Sequence, residues 1–149
     1  MKALKILTYV LFSLFFIGCK EEDYREKWCG DWEFTTIDYR ETGVQPPYLT
    51  VTKDTIIFIG NIKKYEKDRL RIEYKPNAKE PDYSFPSSIY GLIYPVIDED
   101  GILSYPELQF SHGGFSGQLS NENVSISYSQ TFGHAGYESL KIQGKKLNL

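Results

Sequence analysis

Period-2 alternation, a surplus of strand-forming residues and a series of short, turn-rich connections predict an all-β fold. The expected architecture is a small antiparallel meander of about eight strands. Alternation is clearest over Leu70 to Lys75, where Leu70, Ile72 and Tyr74 take one face and Arg71, Glu73 and Lys75 the other. It recurs over Val124 to Ser129, where Val124, Ile126 and Tyr128 are interleaved with three serines. Aromatic residues make up 15% of the chain, 12 of them Tyr, against one Met, a balance that suits pleated, half-buried surfaces. Beyond residue 18, no stretch of ten or more residues shows apolar spacing at i, i+3, i+4, so helix content should be low.

Taken in order, the chain begins with Lys2 and Lys5 ahead of an apolar run, Ile6 to Ile17, broken only by Thr8 and Ser13. About a dozen apolar residues fall short of the roughly 20 that cross a bilayer as a helix, so an export signal is the better reading. The run ends in Phe16-Ile17-Gly18-Cys19, which resembles the lipobox of bacterial lipoproteins, with Phe16 where leucine is usual. The resemblance implies acylation of Cys19 as the first residue of the processed chain; the alternative is an ordinary signal peptide followed by a buried cysteine. Lys20-Glu21-Glu22 then resembles the surface-export signal of Bacteroidota lipoproteins. That implies the outer membrane, facing the cell exterior, with the periplasmic face as alternative. The plainer reading is that these charges make a soluble tether.

The expected organisation is therefore a signal peptide over 1–18, a lipidated tether over 19–27 and one β domain over 28–149. Cleavage removes two of the 17 basic residues and none of the 20 acidic ones, leaving a formal charge of −5. That net charge argues against a nucleic-acid partner, since phosphate binding needs a basic face. About 130 residues suffice for one compact domain and not for two. With Cys19 committed to lipid, Cys29 has no partner for an internal disulfide. Its place between Trp28 and Gly30 favours a small buried role over a reactive thiol.

Trp32 and Phe34 alternate with Asp31, Glu33 and Thr35 in a first strand. Leu49 to Thr52 and Thr55 to Ile59 are β-branched runs, the second apolar enough to be buried on both sides. Phe115 and Leu119 alternate with Ser116 and Gln118, and Leu140 and Ile142 with Lys141 and Gln143. Together with Leu70, Ile72, Tyr74, Val124, Ile126 and Tyr128, the apolar members of these pairs form the expected inward face. Glu66-Lys67-Asp68, Asp98 to Gly101, Asn121-Glu122-Asn123 and Gly133 to Gly136 are short and rich in turn formers or charge. Hairpins in succession pair each strand with its sequence neighbour, and such a meander tends to close and so remove its edges. A closed barrel and a flattened sandwich both satisfy the pattern.

The order Trp28-Cys29-Gly30-Asp31-Trp32-Glu33-Phe34, an Asp-Gly hairpin, Gly114-Phe115-Ser116-Gly117 and Gly144-Lys145-Lys146 resembles small Bacteroidota lipoproteins with a lipocalin-like β fold. Gly30-Asp31-Trp32 is also similar to the Gly-X-Trp that opens the first lipocalin strand, which implies an indole closing one end of a barrel.

Motifs that would carry chemistry are sparse. His112 and His134 have no third ligand at metal-binding spacing, and no cofactor is implied. Asp98-Glu99-Asp100-Gly101 lacks the alternate acids and later glutamate of a calcium loop and reads as a turn. No Gly-X-Ser-X-Gly elbow is present. Asn123-Val124-Ser125 matches a glycosylation acceptor but reads as a turn entering a strand. Pro76 to Pro86 is unusual, carrying Tyr83 and Phe85 between prolines and leading to Tyr90 and Tyr94. It is too long for a hairpin loop and too apolar for a solvated one. Tyr83, Phe85 and Tyr90 are candidate ligand-binding residues, on a platform for a sugar or protein; the alternative is a loop plugging the barrel. The expected function is a non-enzymatic, surface-anchored module that binds a glycan, a small apolar ligand or a protein partner. The rivals are an envelope hydrolase, or an inhibitor of one, using carboxylates gathered by folding, and a structural envelope accessory.

Overall fold

A computed structural model describes residues 23–43, 50–80, 91–106, 113–131 and 136–147. A 3₁₀ turn at Tyr24–Trp28 precedes nine strands. They are β1 (Gly30–Thr42), β2 (Thr50–Tyr65), β3 (Arg69–Glu73), β4 (Leu92–Ile93), β5 (Val96–Ile97), β6 (Ile102–Ser104), β7 (Gly113–Leu119), β8 (Asn123–Thr131) and β9 (Gly136–Lys146). Every pairing is antiparallel and almost every strand lies beside its sequence neighbours. The exception is the closure, where β1 pairs with β9 from Trp32 opposite Lys146 to Thr42 opposite Gly136. β4 and β5 both lie against β3, at Ile72–Ile93 and Arg69–Val96, as two pieces of one stave interrupted at Tyr94-Pro95. The result is a closed eight-strand barrel with one extra short strand. Closure leaves no long unpaired edge, which decides between barrel and sandwich.

The alternation places the core as expected. Eleven of the twelve residues assigned inward are buried, and Phe115 is half-buried against the same cluster. Close strand approach also needs glycine at two points. A Cβ on Gly60 would stand 1.9 Å from the Glu73 carbonyl oxygen, and one on Gly144 would meet Val124 and Phe34 at 2.7 and 2.8 Å. Gly60 lets β2 bend sharply onto β3, and Gly144 makes room for the Phe34 ring inside the barrel.

Two expectations are corrected. The apolar run Thr55 to Ile59 is not buried on both faces: it belongs to one long strand, β2, and Ile57 and Ile59 are 70% and 61% exposed. A single-layered barrel wall has only one dry side, so alternate residues of even a β-branched run face out. Tyr24 to Lys27, assigned to a tether, instead form part of the 3₁₀ turn that closes one end of the barrel.

That closed end gathers the turns 66–68, 98–101 and 120–122 with the 3₁₀ turn. Arg25 is 8% exposed, and its guanidinium donates to the carbonyls of Tyr65, Glu66 and Arg69 at 3.2, 2.7 and 3.1 Å. It also grips both Asp23 carboxylate oxygens, at 2.9 and 2.8 Å. Trp32 is fully buried, and its indole N–H donates to the Trp28 carbonyl at 3.0 Å. The Tyr24 hydroxyl donates to the Ile97 carbonyl at 2.8 Å. At the 98–101 turn, Asp98 Oδ1 accepts from the amides of Asp100 and Ile102, and Gly101 takes φ +84°. This is the chemistry of an Asp-Gly hairpin. At the opposite end lie the strand ends Thr42, Thr50, Glu73, Leu92, Ser104, Gly113, Thr131 and Gly136.

Candidate binding site

The inward face changes character along its length. The ladders across β1, β9 and β8 divide it into four successive rows: Phe34–Gly144–Val124, Thr36–Ile142–Ile126, Asp38–Leu140–Tyr128 and Arg40–Glu138–Gln130. The first is apolar, lies nearest the closed end and packs on Trp32. The last is wholly polar and lies nearest the opposite end.

Each member of this belt is held by its neighbours. Thr36 is 1% exposed, and its hydroxyl donates to the Tyr74 carbonyl at 3.3 Å. Lys75 Nζ lies 3.4 Å from Asp38 Oδ2, while Asp38 Oδ1 is buried with no hydrogen-bond partner among the described residues. Arg40 meets Glu138 Oε1 at 3.4 Å, and the Glu138 side chain is only 5% exposed. The Tyr128 hydroxyl bonds to Gln130. Burial, followed by the charges of Asp38 and Glu138, raises the Tyr74 phenol far above its ordinary range. Burial and then Glu138 do the same for Tyr128. Both phenols therefore stay protonated, as hydrogen-bond donors, at any physiological pH. The belt thus combines carboxylates, a guanidinium, an ammonium, an amide and phenols, an inventory suited to a small molecule rich in hydroxyls.

The residues singled out from the sequence fall elsewhere. Cys19, Lys20, Glu21, Glu22, Tyr83, Phe85 and Tyr90 lie outside the described residues, as do His112 and His134. Tyr94 is described: its ring packs on Tyr65 with centroids 4.4 Å apart, and burial together with its bond to Glu80 pushes its phenol up to about 12. Cys29 is a free, half-buried thiol whose Sγ lies 3.5 Å from the Arg25 carbonyl oxygen. Burial pushes its pKa up, which suits a packed side chain and not a nucleophile. Among the described residues, no three His, Cys, Asp or Glu side chains gather in a way that could hold a metal ion. A groove of about 610 Å³ on the outer wall, lined by Glu33, Thr35, Gln118, Ser125, Gln143 and Lys145, is open and less constrained than the inner belt.

The belt had a sequence signal. The period-2 row that opens with Trp32 and Phe34 continues through Thr36, Asp38 and Arg40, so the inward face of a predicted strand turns charged. Reading Leu140 back by two reaches Glu138 in the same way.

No family model, curated protein or solved structure matches the chain. What the fold defines is a closed up-and-down barrel with an apolar layer beside the end that the 3₁₀ turn closes and a polar belt toward the opposite end.

Proposed function

We propose that the chain is a non-enzymatic lipoprotein, held to the outer membrane through Cys19 and carried to the cell exterior by Lys20-Glu21-Glu22. Its barrel takes a short saccharide, or a small molecule equally rich in hydroxyls, into the belt toward the end opposite the 3₁₀ turn. The observation that carries the binding reading is the row Arg40–Glu138–Gln130 beside a buried Asp38 oxygen with no partner among the described residues. Inward charges add little to stability compared with packed apolar residues, and a buried unpaired acceptor costs free energy. Such breaches of the inward apolar pattern are expected where a ligand supplies the missing donors.

The test is retention of labelled oligosaccharides by the purified protein, followed by titration of any bound sugar against Asp38→Asn and Glu138→Gln. Each variant should weaken binding roughly tenfold or more, since a hydrogen bond to a charged group is worth about 1.5–3 kcal/mol. Retention of no saccharide, or equal affinity in both variants, would reject the reading. The anchor is tested separately: Cys19→Ala should release the protein from the membrane fraction or leave it unprocessed, and normal processing with membrane retention would reject it.

One observation favours a hydrolase as second reading. Asp38 and Glu138 project inward as diagonal neighbours on β1 and β9. Diagonal neighbours on one face of an antiparallel pair lie within reach of long side chains, the placement that paired-carboxylate glycoside chemistry requires. Release of reducing sugar by wild type and not by Asp38→Asn would establish it.

A further inference from the structure

The exposed apolar surface is concentrated on one strand. Among the described residues, five large hydrophobic side chains are strongly exposed, and four of them, Val51, Ile57, Ile59 and Tyr65, lie on β2. All four occupy its outward row, which reads Val51, Lys53, Thr55, Ile57, Ile59, Asn61, Lys63, Tyr65. That row contains two lysines and no acid. The adjoining outward positions of β1 add Ile37 together with Asp31, Glu33 and Glu41, and those of β9 add Lys141 and Lys145, with Glu33 set between Ile59 and Lys145. On the β3 side Lys63 faces Arg71, whose charge is engaged by Glu73 at 3.0 Å. Apolar β-branched residues flanked by lysines and a tyrosine are what an interfacial lipid surface selects.

The tether leads to the same strand. Asp23 lies 3.6 Å from Lys64, near the last residue of β2. Cys19 precedes Asp23 by four residues, a covalent reach of at most about 14 Å. Ile59 lies five residues from Lys64, about 17 Å along the strand. The closed end itself is a poor surface for headgroups, because its hairpin turns carry Glu66, Asp68, Asp98, Glu99, Asp100 and Glu122 against Lys67, and the 3₁₀ turn adds Glu26 against Arg25 and Lys27. An anionic bilayer repels that end and attracts the β2 row.

We infer that the outer wall of β1 and β2, centred on Ile57 and Ile59, docks on the lipid surface, so that the anchored barrel lies on its side rather than standing on its closed end. This rests on the proposed lipid anchor. The lipid supplies proximity, and the wall sets orientation.

Ile102 provides an internal control. It is 52% exposed, sits on β6 across the barrel from β1, and follows the 98–101 turn of the closed end. A barrel standing upright would bring Ile102 closer to the membrane than Ile57, and a barrel on its side would do the reverse. The experiment uses the acylated protein, carrying Cys29→Ser and ¹³C-methyl isoleucine, in nanodiscs of phosphatidylcholine and phosphatidylglycerol with a gadolinium-chelate headgroup lipid. Mass spectrometry of Cys19 judges the anchor by itself. If Cys19 is unmodified, the same thiol is coupled to a maleimide phospholipid, and docking is measured all the same. The Ile57 and Ile59 methyl signals should lose most of their intensity while Ile102 keeps most of its own, and Ile57→Ser with Ile59→Ser should abolish attraction to that wall. Loss at Ile102 equal to or greater than at Ile57 and Ile59 would overturn the inference. So would signals at Ile57 and Ile59 that shift with protein concentration in the absence of discs, which would assign the wall to a second copy of the chain.

Discussion

Replacing Arg25 by Met tests whether the 3₁₀ turn is a structural plug or the end of a tether. Methionine keeps the apolar stem and deletes the guanidinium. Three donations to the β2–β3 hairpin, at 3.2, 2.7 and 3.1 Å, and two to Asp23 are lost together. The hairpin carbonyls then face a buried thioether, and the Asp23 carboxylate keeps only the more distant Lys64 ammonium, at 3.6 Å. Removing one partner of a buried charged cluster costs about 3–5 kcal/mol. At this chain length 1 kcal/mol moves Tm by about 3–5 °C, so a fall of about 10–20 °C is expected. Urea unfolding followed by tryptophan fluorescence is the assay, because Trp28 and Trp32 are both buried at this end. Lys27→Met is the control: Lys27 is exposed, bonds only the Glu99 carbonyl and covers the Trp28 ring at 4.2 Å. Its loss should cost about 1 kcal/mol or less. If the two variants lie within about 1 kcal/mol of each other, the plug reading is wrong and the segment behaves as a solvated tether.

Three further outcomes follow from the same geometry. Ile126→Ala, which truncates a residue 2% exposed, should cost roughly 2–5 kcal/mol, against about 0.5 or less for the adjacent outward Ser127→Ala. Equal costs in denaturant titrations would invert the assigned faces. Gly60→Ala drives a Cβ to 1.9 Å from the Glu73 carbonyl and should cost at least about 1–3 kcal/mol, with loss of amide-exchange protection at the β2–β3 pairing first. The Arg25 guanidinium holds the Asp23 carboxyl below the usual carboxylate range. Its stabilising effect is therefore complete above the unfolded value of about 3.9 and is lost as pH falls below it, so Asp23→Asn should flatten the decline of stability below about pH 4. An unchanged acid limb in Asp23→Asn would show that this pair plays no part in it.

Much of the barrel is legible in the sequence because a strand's side chains repeat every two residues and its hairpins are local. Leu70-Ile72-Tyr74 and Val124-Ile126-Tyr128 mark their inward faces without reference to any other part of the chain. The Asp98–Gly101 turn carries its own geometry in Asp98 and Gly101. The charged belt was half legible. Period-2 counting brings Asp38, Arg40 and Glu138 to the inward face, but only the β1–β9 register sets Arg40 opposite Glu138.

The sequence by itself determined the strand character, the faces of the strongly alternating strands and the tight turns, since each depends on residues within a few positions of one another. Tertiary structure decided what depends on distant partners. Arg25 became a plug because closure brings the Tyr65, Glu66 and Arg69 carbonyls to it from 40 or more residues away. Ile57 and Ile59 face outward because the barrel wall is one layer thick, and no local pattern in a β-branched run tells a covered wall from a bare one.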